Sequence, residues 1–175
     1  IETTSTKTTQ TSGIIVETEA YAGKTDKASH AYGGKKTNRT KIMYESGGIA
    51  YVYLCYGMHH LFNIVTNKKN IPHAILIRAI EPLSGINTML KRRNKNNIDF
   101  SLTSGPGRLT NALGITMNEN SLSLLDDLIW IEDQKNILDN DVISSPRVGI
   151  PYAQEYVHSL WRFRIKNNPW TSPPN

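Results

Sequence analysis

Three runs of β-branched and aromatic residues follow one another between residues 49 and 83, with only short connections between them. They read IAYVYLCY (49–56), LFNIV (61–65) and HAILIRAIEPL (73–83). Such runs predict β-strands, and connections this short join antiparallel neighbours, because a parallel pair needs a crossover of a dozen or more residues. The first two runs are therefore predicted to form a hairpin across GMHH (57–60). The third strand is expected to end at Pro82.

The rest of the chain adds further strands and two short helices. GIIVETEAYAG (13–23), DLIWIED (127–133) and LWRFRIK (160–166) are predicted strands, and INTMLKRRNK (86–95) has helical spacing of its apolar residues. Gly105-Pro106-Gly107 is predicted to turn into a second helix within 103–115. Residues 24–41 and 144–157 are predicted to be loops, each with room for a helical turn. The pattern indicates one α+β domain over residues 1–175, with mainly antiparallel pairing.

Positive charge is concentrated in the first two thirds of the chain. Residues 1–115 carry 15 Lys and Arg against 7 Asp and Glu, whereas residues 116–146 carry 1 against 7. An excess of this kind suits a polyanionic partner such as nucleic acid, and a solvated basic face explains it equally well.

The sequence favours a reducing, intracellular compartment. Its single cysteine, Cys55, cannot form an internal disulfide. No run approaches the roughly 18 apolar residues of a membrane helix, so no membrane partner is expected. Residues 1–12 have neither an initiating Met nor a signal-peptide core, and the numbering is expected to begin inside a longer chain.

Two carboxylates are predicted to share one face of the first strand with a tyrosine. Alternation places Glu17, Glu19 and Tyr21 together, with the carboxylates ~6.5–7 Å apart along the strand. This spacing lets one ionised carboxylate work beside a second that is structural. A solvated outer strand face is the alternative, against which the apolar flanks GIIV and AYAG argue. Glu17 is expected to support Glu19.

Two polar residues interrupt otherwise apolar strands. Arg78 in AILIRAI needs a carboxylate, a carbonyl or a water as partner if it is buried, and its role is either structural or functional. Asn63 in LFNIV also needs partners, and in a pocket its amide can read a hydrogen-bonding edge.

No metal or other cofactor is predicted. His59 and His60 are adjacent, so on a strand they face opposite ways and cannot share one ion without a turn. No carboxylate or cysteine stands at helical ligand spacing from them.

The hairpin holds three of the eight tyrosines within six residues. Tyr51 and Tyr53 suit a packed strand. Tyr56 precedes Gly57 at the turn, where strand alternation does not determine its direction. The glycine-rich SGPGR segment (104–108) offers backbone N–H groups and Arg108 as a phosphate-binding site.

Taken in order, IVETEAY, DKASHAYGGKKTNR, YVYLCYGMHHLFNIVT, ILIRAIEPL, SGPGRLTNALGI, RVGI and NPWTS resemble the alkyladenine (3-methyladenine) DNA glycosylases, from about residue 13 to residue 172. The resemblance implies a single domain with a curved, mainly antiparallel sheet and a protruding β-hairpin for DNA. The family's N-terminal helix, which usually precedes these motifs, is expected to be missing or shortened in residues 1–12.

The resemblance also implies an activity and its residues. A monofunctional DNA glycosylase of base excision repair, acting as a monomer without cofactor, would flip a damaged purine from duplex DNA and hydrolyse its N-glycosidic bond. Alkylated and deaminated purines are its implied substrates: 3-methyladenine, 7-methylguanine, hypoxanthine and ethenoadenine. Glu19 matches the carboxylate that activates water, which Arg78 and the Val148 carbonyl would hold. The matching base-pocket residues are Tyr21, Ala28, His30, Tyr53 and Asn63, the last disfavouring guanine. The matching DNA contacts are Tyr56 as a wedge, with Met58, Lys35, Thr37, Arg39 and Arg108.

Three residues depart from the family pattern on the expected DNA side. Asn38 and Thr40 replace the usual Pro and Asn, and Tyr44 replaces Phe. We expect these changes to alter DNA affinity more than chemistry.

Two other functions are weighed against the glycosylase. A lesion-binding module without catalysis would keep the wedge and the basic face, but the Glu19 and Arg78 matches argue against it. A hydrolase of free nucleosides would need neither the wedge nor the charge. The glycosylase location would be cytoplasmic or nucleoid in a bacterium and nuclear in a eukaryote.

Overall fold

The computed structural model describes residues 2–5, 9–133 and 137–173, and its framework is an eight-stranded sheet. The strands are β1 (Glu2–Ser5), β2 (Thr9–Tyr21), β3 (Ile49–Cys55), β4 (His59–Val65), β5 (Ala74–Ser84), β6 (Ile129–Trp130), β7 (Val142–Ser145) and β8 (Arg162–Ile165). The main path runs β3-β4-β5-β2-β1-β6, while β8 pairs with both β2 and β7. Every strand pair among the described residues is antiparallel.

The main apolar core is formed by one face of this sheet and by two helices, α1 (Ile86–Arg92) and α2 (Pro106–Leu113). Because side chains alternate along a strand, the residues between these core positions face the other way. The core is formed by sheet residues and helix residues that include Val52, Phe62, Ile77, Ile80, Met89, Leu109 and Leu113. The apolar residues of α2 that face this core, Leu109, Ala112 and Leu113, are buried.

The opposite face of the sheet carries a smaller cluster, in which loop residues cover the hairpin. Tyr51 of β3, Val65 of β4 and Ala74 of β5 pack there against Met43 and Tyr44. A third small cluster joins Ala28 to Ile150 and Ala153. Two loops, 22–32 and 146–158, therefore meet on the face away from the helices.

Strand β2 has neighbours on both sides where its carboxylates lie. Glu17 is paired with Ala79 of β5 and with Arg164 of β8, and Glu19 with Leu76 and Arg162. The register against β5 shifts on either side of Glu17. Such irregularities redirect side chains locally, and the double pairing takes this part of β2 out of water.

Several predicted boundaries were wrong. Strand β5 passes through Pro82 to Ser84. At Pro82 its only described strand partner is β2, where Pro82 pairs with Gly13. A proline, which has no N–H, is tolerated there because no described strand pairs with the other side. The predicted strand 127–133 shrinks to β6, and β7 was not predicted, its last two residues overlapping the start of the segment 144–157 that was expected to be a loop. The hairpin connection is Tyr56–Met58, so both histidines belong to β4. Pro106 opens α2 instead of turning before it.

The α+β class and the mainly antiparallel sheet are confirmed, as are both helices and the hairpin. Among the described residues, no helix combines the length and apolar character needed to cross a membrane.

Candidate active site

Glu19 lies at the centre of the candidate site, fully buried where β2 is paired on both sides. Its Oε2 accepts a hydrogen bond from the Tyr21 hydroxyl at 2.9 Å. Its Oε1 accepts one from the Val148 amide at 2.8 Å and lies 3.2 Å from an Arg78 guanidinium nitrogen. All three partners are donors, as an acceptor-only carboxylate requires. The face shared by Glu17, Glu19 and Tyr21 is confirmed, and it is not the solvated face of the alternative interpretation.

Glu17 is equally buried but has a different set of partners. Its Oε1 accepts from the Nε atoms of Arg78 at 2.7 Å and Arg162 at 2.8 Å, and from the Ser172 hydroxyl at 2.8 Å. The Ser172 amide donates to Oε2. Burial acts to raise the pKa of Glu17, but the Ser172 amide and the Arg78 charge bring it below its usual value. Glu17 therefore serves as the counter-ion of two buried arginines.

Arg78 joins the two carboxylates, since its guanidinium contacts both Glu17 and Glu19. The sequence predicted that a buried Arg78 needs a partner, and the structure provides two, Glu17 and Glu19. The Val148 amide, by contrast, is the group that contacts Glu19, whereas the sequence comparison assigned a role to the Val148 carbonyl. That carbonyl role stays a prediction.

A pocket opens beside Glu19 on the face of the sheet away from the helices. All five predicted base-pocket residues line it: Tyr21, Ala28, His30, Tyr53 and Asn63. Five further residues, which the sequence did not single out for this role, also line it: Ser29, Met43, Tyr51, Ala74 and Tyr152. His30 and Tyr53 meet edge to face, with ring centroids 4.6 Å apart. An aromatic wall of this kind suits a flat, planar ligand.

Tyr21 connects the pocket to the carboxylate, because its ring lines the cavity while its hydroxyl bonds Glu19. Burial and then the Glu19 charge raise the Tyr21 pKa well above its usual value. The phenol therefore keeps its proton and acts as a donor to Glu19. Burial also raises the pKa of Tyr53, so both aromatic walls stay uncharged.

His30 is neutral in this pocket, because burial and then the charge of Arg39 lower its pKa to about 4. The Arg39 guanidinium donates to His30 Nε2 at 3.2 Å, and Nδ1 lies 2.9 Å from the Tyr51 hydroxyl. Since a guanidinium only donates, Nε2 must accept and the proton resides on Nδ1. Arg39 also stacks on Tyr53, with its guanidinium carbon 4.7 Å from the ring centroid.

Asn63 is buried and held in one orientation. Its amide nitrogen donates to the backbone carbonyls of Tyr51 at 3.1 Å and Leu61 at 3.4 Å. Because both partners are acceptors, they identify the nitrogen and prevent the amide from turning. A fixed amide in the pocket wall can exclude a ligand that carries an extra exocyclic group.

The hairpin tip projects two large side chains into solvent. Tyr56 is 88% exposed with φ at 50°, and Met58 is 70% exposed. The return strand is braced from the helix side, where the Thr110 hydroxyl donates to the His60 carbonyl at 2.7 Å. A Cβ on Gly107 would lie 3.0 Å from the His59 ring, so α2 packs directly against the hairpin next to its turn.

The predicted DNA-contacting residues are exposed on loops and at the start of α2. Lys35, Thr37, Arg39 and Arg108 are all solvent-accessible. The loop that holds the first three is organised by two of the departing residues, because the Thr40 and Tyr44 hydroxyls both donate to the Lys35 carbonyl, at 2.9 and 3.2 Å. Arg39 stacks on Tyr53 of the hairpin, whereas Arg108 donates to the Ser104 carbonyl at 3.3 Å at the start of α2.

Sequence patterns missed most of the supporting residues. Arg162 lies in a predicted strand, and its charge within an apolar alternation was a usable signal. Asp26, Arg147 and Ser172 lie in polar loop sequence, where no periodicity distinguishes them. Among the described residues, no group of three or more His, Cys, Asp and Glu side chains could hold a metal ion.

Comparison with known proteins identifies the family of the chain. The family model for methylpurine-DNA glycosylase matches residues 2–169. A protein of Chlamydia felis is 50% identical over 156 residues, covering 89% of this chain and 79% of its own. One from Bacillus cereus is 48% identical over 170 residues (92% and 83%), and one from Chlamydia abortus is 50% identical over 161 (90% and 84%). All three are named "Putative 3-methyladenine DNA glycosylase". The chain therefore belongs to the methylpurine-DNA glycosylase family of DNA glycosylases.

Proposed function

We propose that this chain is a monofunctional DNA glycosylase of base excision repair, acting as a monomer on duplex DNA that contains a damaged purine. It flips the purine into the tyrosine-lined pocket and hydrolyses the N-glycosidic bond with a water activated by Glu19. The observation that carries the proposal is the position of Tyr21, which walls the pocket with its ring and bonds Glu19 with its hydroxyl. A base in the pocket would thus bring its sugar next to a buried carboxylate.

The hydrolytic step needs only a base and a held water. Glu19 takes a proton from the water while the water oxygen bonds C1′ of the sugar. The bond from C1′ to N9 breaks, and its electron pair leaves with the purine. A purine alkylated on a ring nitrogen is cationic and departs neutral, whereas hypoxanthine and ethenoadenine depart as anions at N9 and take a proton from solvent water. General base catalysis of this kind contributes about 10²–10⁴-fold.

The pocket wall supports selection of damaged purines. The ring faces of Tyr21 and Tyr53 that Arg147 and Arg39 do not cover would attract a cationic base by cation–π contact, worth roughly 0.5–2 kcal/mol. Neutral lesions such as hypoxanthine and ethenoadenine rely on stacking and on the neutral His30 edge. The fixed amide of Asn63 disfavours guanine, whose exocyclic amine would collide with it.

DNA binding would use the hairpin and the basic residues around it. Extruding a nucleotide costs a few kcal/mol, and an inserted side chain at the vacated stack offsets part of this. Tyr56 is the wedge, with Met58 beside it, because both side chains already project from the surface. Lys35, Thr37, Arg39 and Arg108 would contact the phosphates on either side. None of the described residues that line the pocket is a lysine.

A duplex with one ethenoadenine or hypoxanthine tests the proposal. After incubation, alkali cleaves the strand wherever a base has been released. We expect cleavage with the wild-type protein, a loss of about 10²–10⁴-fold in rate for Glu19→Gln, and no change for Glu45→Gln, which removes a carboxylate on the exposed Lys69 ion pair.

Two results would contradict the proposal. Binding of the lesion duplex without base release would indicate a non-catalytic DNA-binding module. Equal release by wild type and Glu19→Gln would exclude Glu19 as the base.

A further inference from the structure

Asp26 and Arg147 form a second buried ion pair, outside the predicted site. Two guanidinium nitrogens of Arg147 lie 2.6 and 2.8 Å from the two Asp26 oxygens, and neither side chain is exposed to solvent. The residues are 121 positions apart in the chain. This bidentate contact joins the two loops, 22–32 and 146–158, that meet over the pocket.

Both partners also bind the backbone beside the proposed site. The Asp26 carboxylate accepts from the Ala22 amide at 3.1 Å and the Ala28 amide at 3.0 Å. Arg147 donates to the Ala20 carbonyl at 2.9 Å. Ala20 lies between Glu19 and Tyr21, and Ala28 lines the pocket. The pair therefore holds the main chain at Ala20 and Ala22, which flank the pocket residue Tyr21, and at the pocket residue Ala28.

The next residue after Arg147 carries this restraint to the carboxylate. Val148 follows directly, and its amide donates to Glu19 at 2.8 Å. The Arg147 guanidinium itself lies between two rings, 4.7 Å from the Tyr21 centroid and 4.9 Å from that of Trp161. Any displacement of Arg147 would thus move an aromatic wall of the pocket and a donor to Glu19 together.

Stability alone does not account for this arrangement. Replacing a buried ion pair by apolar residues is often neutral or stabilising, because desolvation offsets the attraction. In addition, the Arg147 Nε has no hydrogen-bond partner among the described residues. The two parallel hydrogen bonds of a bidentate guanidinium–carboxylate pair fix the relative orientation of the two side chains in addition to stabilising the contact. A base pocket and a held water require such a fixed orientation of the groups around them.

We propose that Asp26 and Arg147 are positioning residues of the glycosylase, which set the distance between the base pocket and Glu19 by fixing Tyr21, Ala28 and Val148. The inference rests on the proposed function. It adds two residues that act on the reaction through others and do not touch the substrate.

Single-turnover kinetics on an ethenoadenine duplex, with enzyme in excess, separate positioning from folding. The variants are Asp26→Asn, which removes the charge at constant size, and Arg147→Lys, which keeps the charge but loses the planar fork. Lys27→Met is the matched control, because Lys27 links the same two loops through exposed contacts to Gln154 and Glu155.

We expect Asp26→Asn and Arg147→Lys to lower the single-turnover rate constant about 10- to 100-fold at full reaction amplitude, as small misplacements of reacting groups do. Lys27→Met should keep the wild-type rate constant. A pair that served only the fold would reduce the active fraction, and hence the amplitude, while the folded molecules reacted at the wild-type rate. A reduced amplitude with a wild-type rate constant, in either Asp26→Asn or Arg147→Lys, would overturn the inference.

A second readout separates this inference from the proposed function. Ethenoadenine fluorescence changes when the base leaves the stack, so it reports flipping without hydrolysis. If the wild type flips the base but releases none, the hydrolytic function fails, and the flipping equilibrium still tests the pair. Asp26→Asn and Arg147→Lys should then flip the base about 10-fold less well, and flipping at the wild-type level would overturn the inference.

Discussion

Glu17 and Glu19 stand two residues apart on one strand and are equally buried, yet their carboxylates have different surroundings. Glu17 is enclosed by two arginines and by both the amide and the hydroxyl of Ser172. Glu19 shares only Arg78 with it, and its remaining partners are the pocket tyrosine and a loop amide. The Glu17 side of Arg78 is thus closed by protein groups, whereas Glu19 is joined to a pocket residue through the Tyr21 hydroxyl.

This difference shows that burial does not by itself identify a functional carboxylate. A satisfied counter-ion and a candidate base have the same exposed fraction, and they differ in what lies next to them. Arg78 couples the two, because its positive charge interacts with Glu17 on one side and with Glu19 on the other. We therefore expect changes on the Glu17 side to act on stability and changes on the pocket side to act on base release.

The largest effects should come from the carboxylates themselves. Glu17→Gln leaves Arg78 and Arg162 buried around a neutral amide, which should lower the free energy of unfolding by about 3–5 kcal/mol. Glu19→Gln leaves Arg78 paired with Glu17, so the loss should be smaller, about 1–3 kcal/mol, although base release falls far more. Urea unfolding followed by tryptophan fluorescence measures both. Equal destabilisation by the two variants would remove the distinction.

A smaller effect is expected at the hairpin tip, far from both carboxylates. Tyr56→Ser should weaken lesion-duplex affinity and flipping by about 10- to 100-fold, from the loss of roughly 1–3 kcal/mol of stacking. Its unfolding free energy should be unchanged, because the side chain is 88% exposed. Fluorescence titration with an ethenoadenine duplex measures the affinity. Wild-type affinity and flipping in this variant would make Tyr56 an ordinary turn residue.

The smallest effect concerns pH. The His30 pKa is lowered from 6.5 to about 4, so the unfolded chain binds more protons between these values, and stability is lost as the pH falls from about 6.5 towards 4. For a half-buried ring this loss is on the order of 1–2 kcal/mol. His30→Gln should flatten the curve of unfolding free energy against pH in this window only. Glu17, whose pKa is lowered, contributes stability that is lost at lower pH, below its unfolded value of 4.5.

Identical curves for wild type and His30→Gln between pH 6.5 and 4 would show that His30 is not held neutral by its surroundings.

Much of this arrangement could be predicted where a periodic pattern existed. Alternation along GIIVETEAY correctly placed Glu17, Glu19 and Tyr21 on one face, and the hairpin correctly put Tyr56 at its turn. Arg78 interrupts an apolar strand, which correctly predicted that it would need a partner if buried, and that partner is a pair of carboxylates. In each case a local rule of geometry or desolvation was sufficient.

The remainder depends on contacts that no local rule reaches. Ser172 bonds Glu17 across 155 positions and Arg147 bonds Asp26 across 121, and both loop residues stand in ordinary polar sequence. Strand β7 was missed because its pairing with β8 is a tertiary choice, made by four residues without apolar alternation. The ends of β5 and β6 were wrong for the same reason, since neighbouring strands determine where pairing stops.

The long sequence separation between Glu17 and its partners also has a consequence for folding kinetics. Contacts between distant residues form slowly, because the entropy of closing a long loop must be lost before the contact is gained. The β3–β4 hairpin can form early from neighbouring residues, whereas the charge cluster around Glu17 waits for Arg162 and Ser172. We expect a refolding intermediate to bury the hairpin tyrosines before the charge cluster around Glu17 has formed. Recovery of base release should therefore lag behind recovery of tyrosine fluorescence.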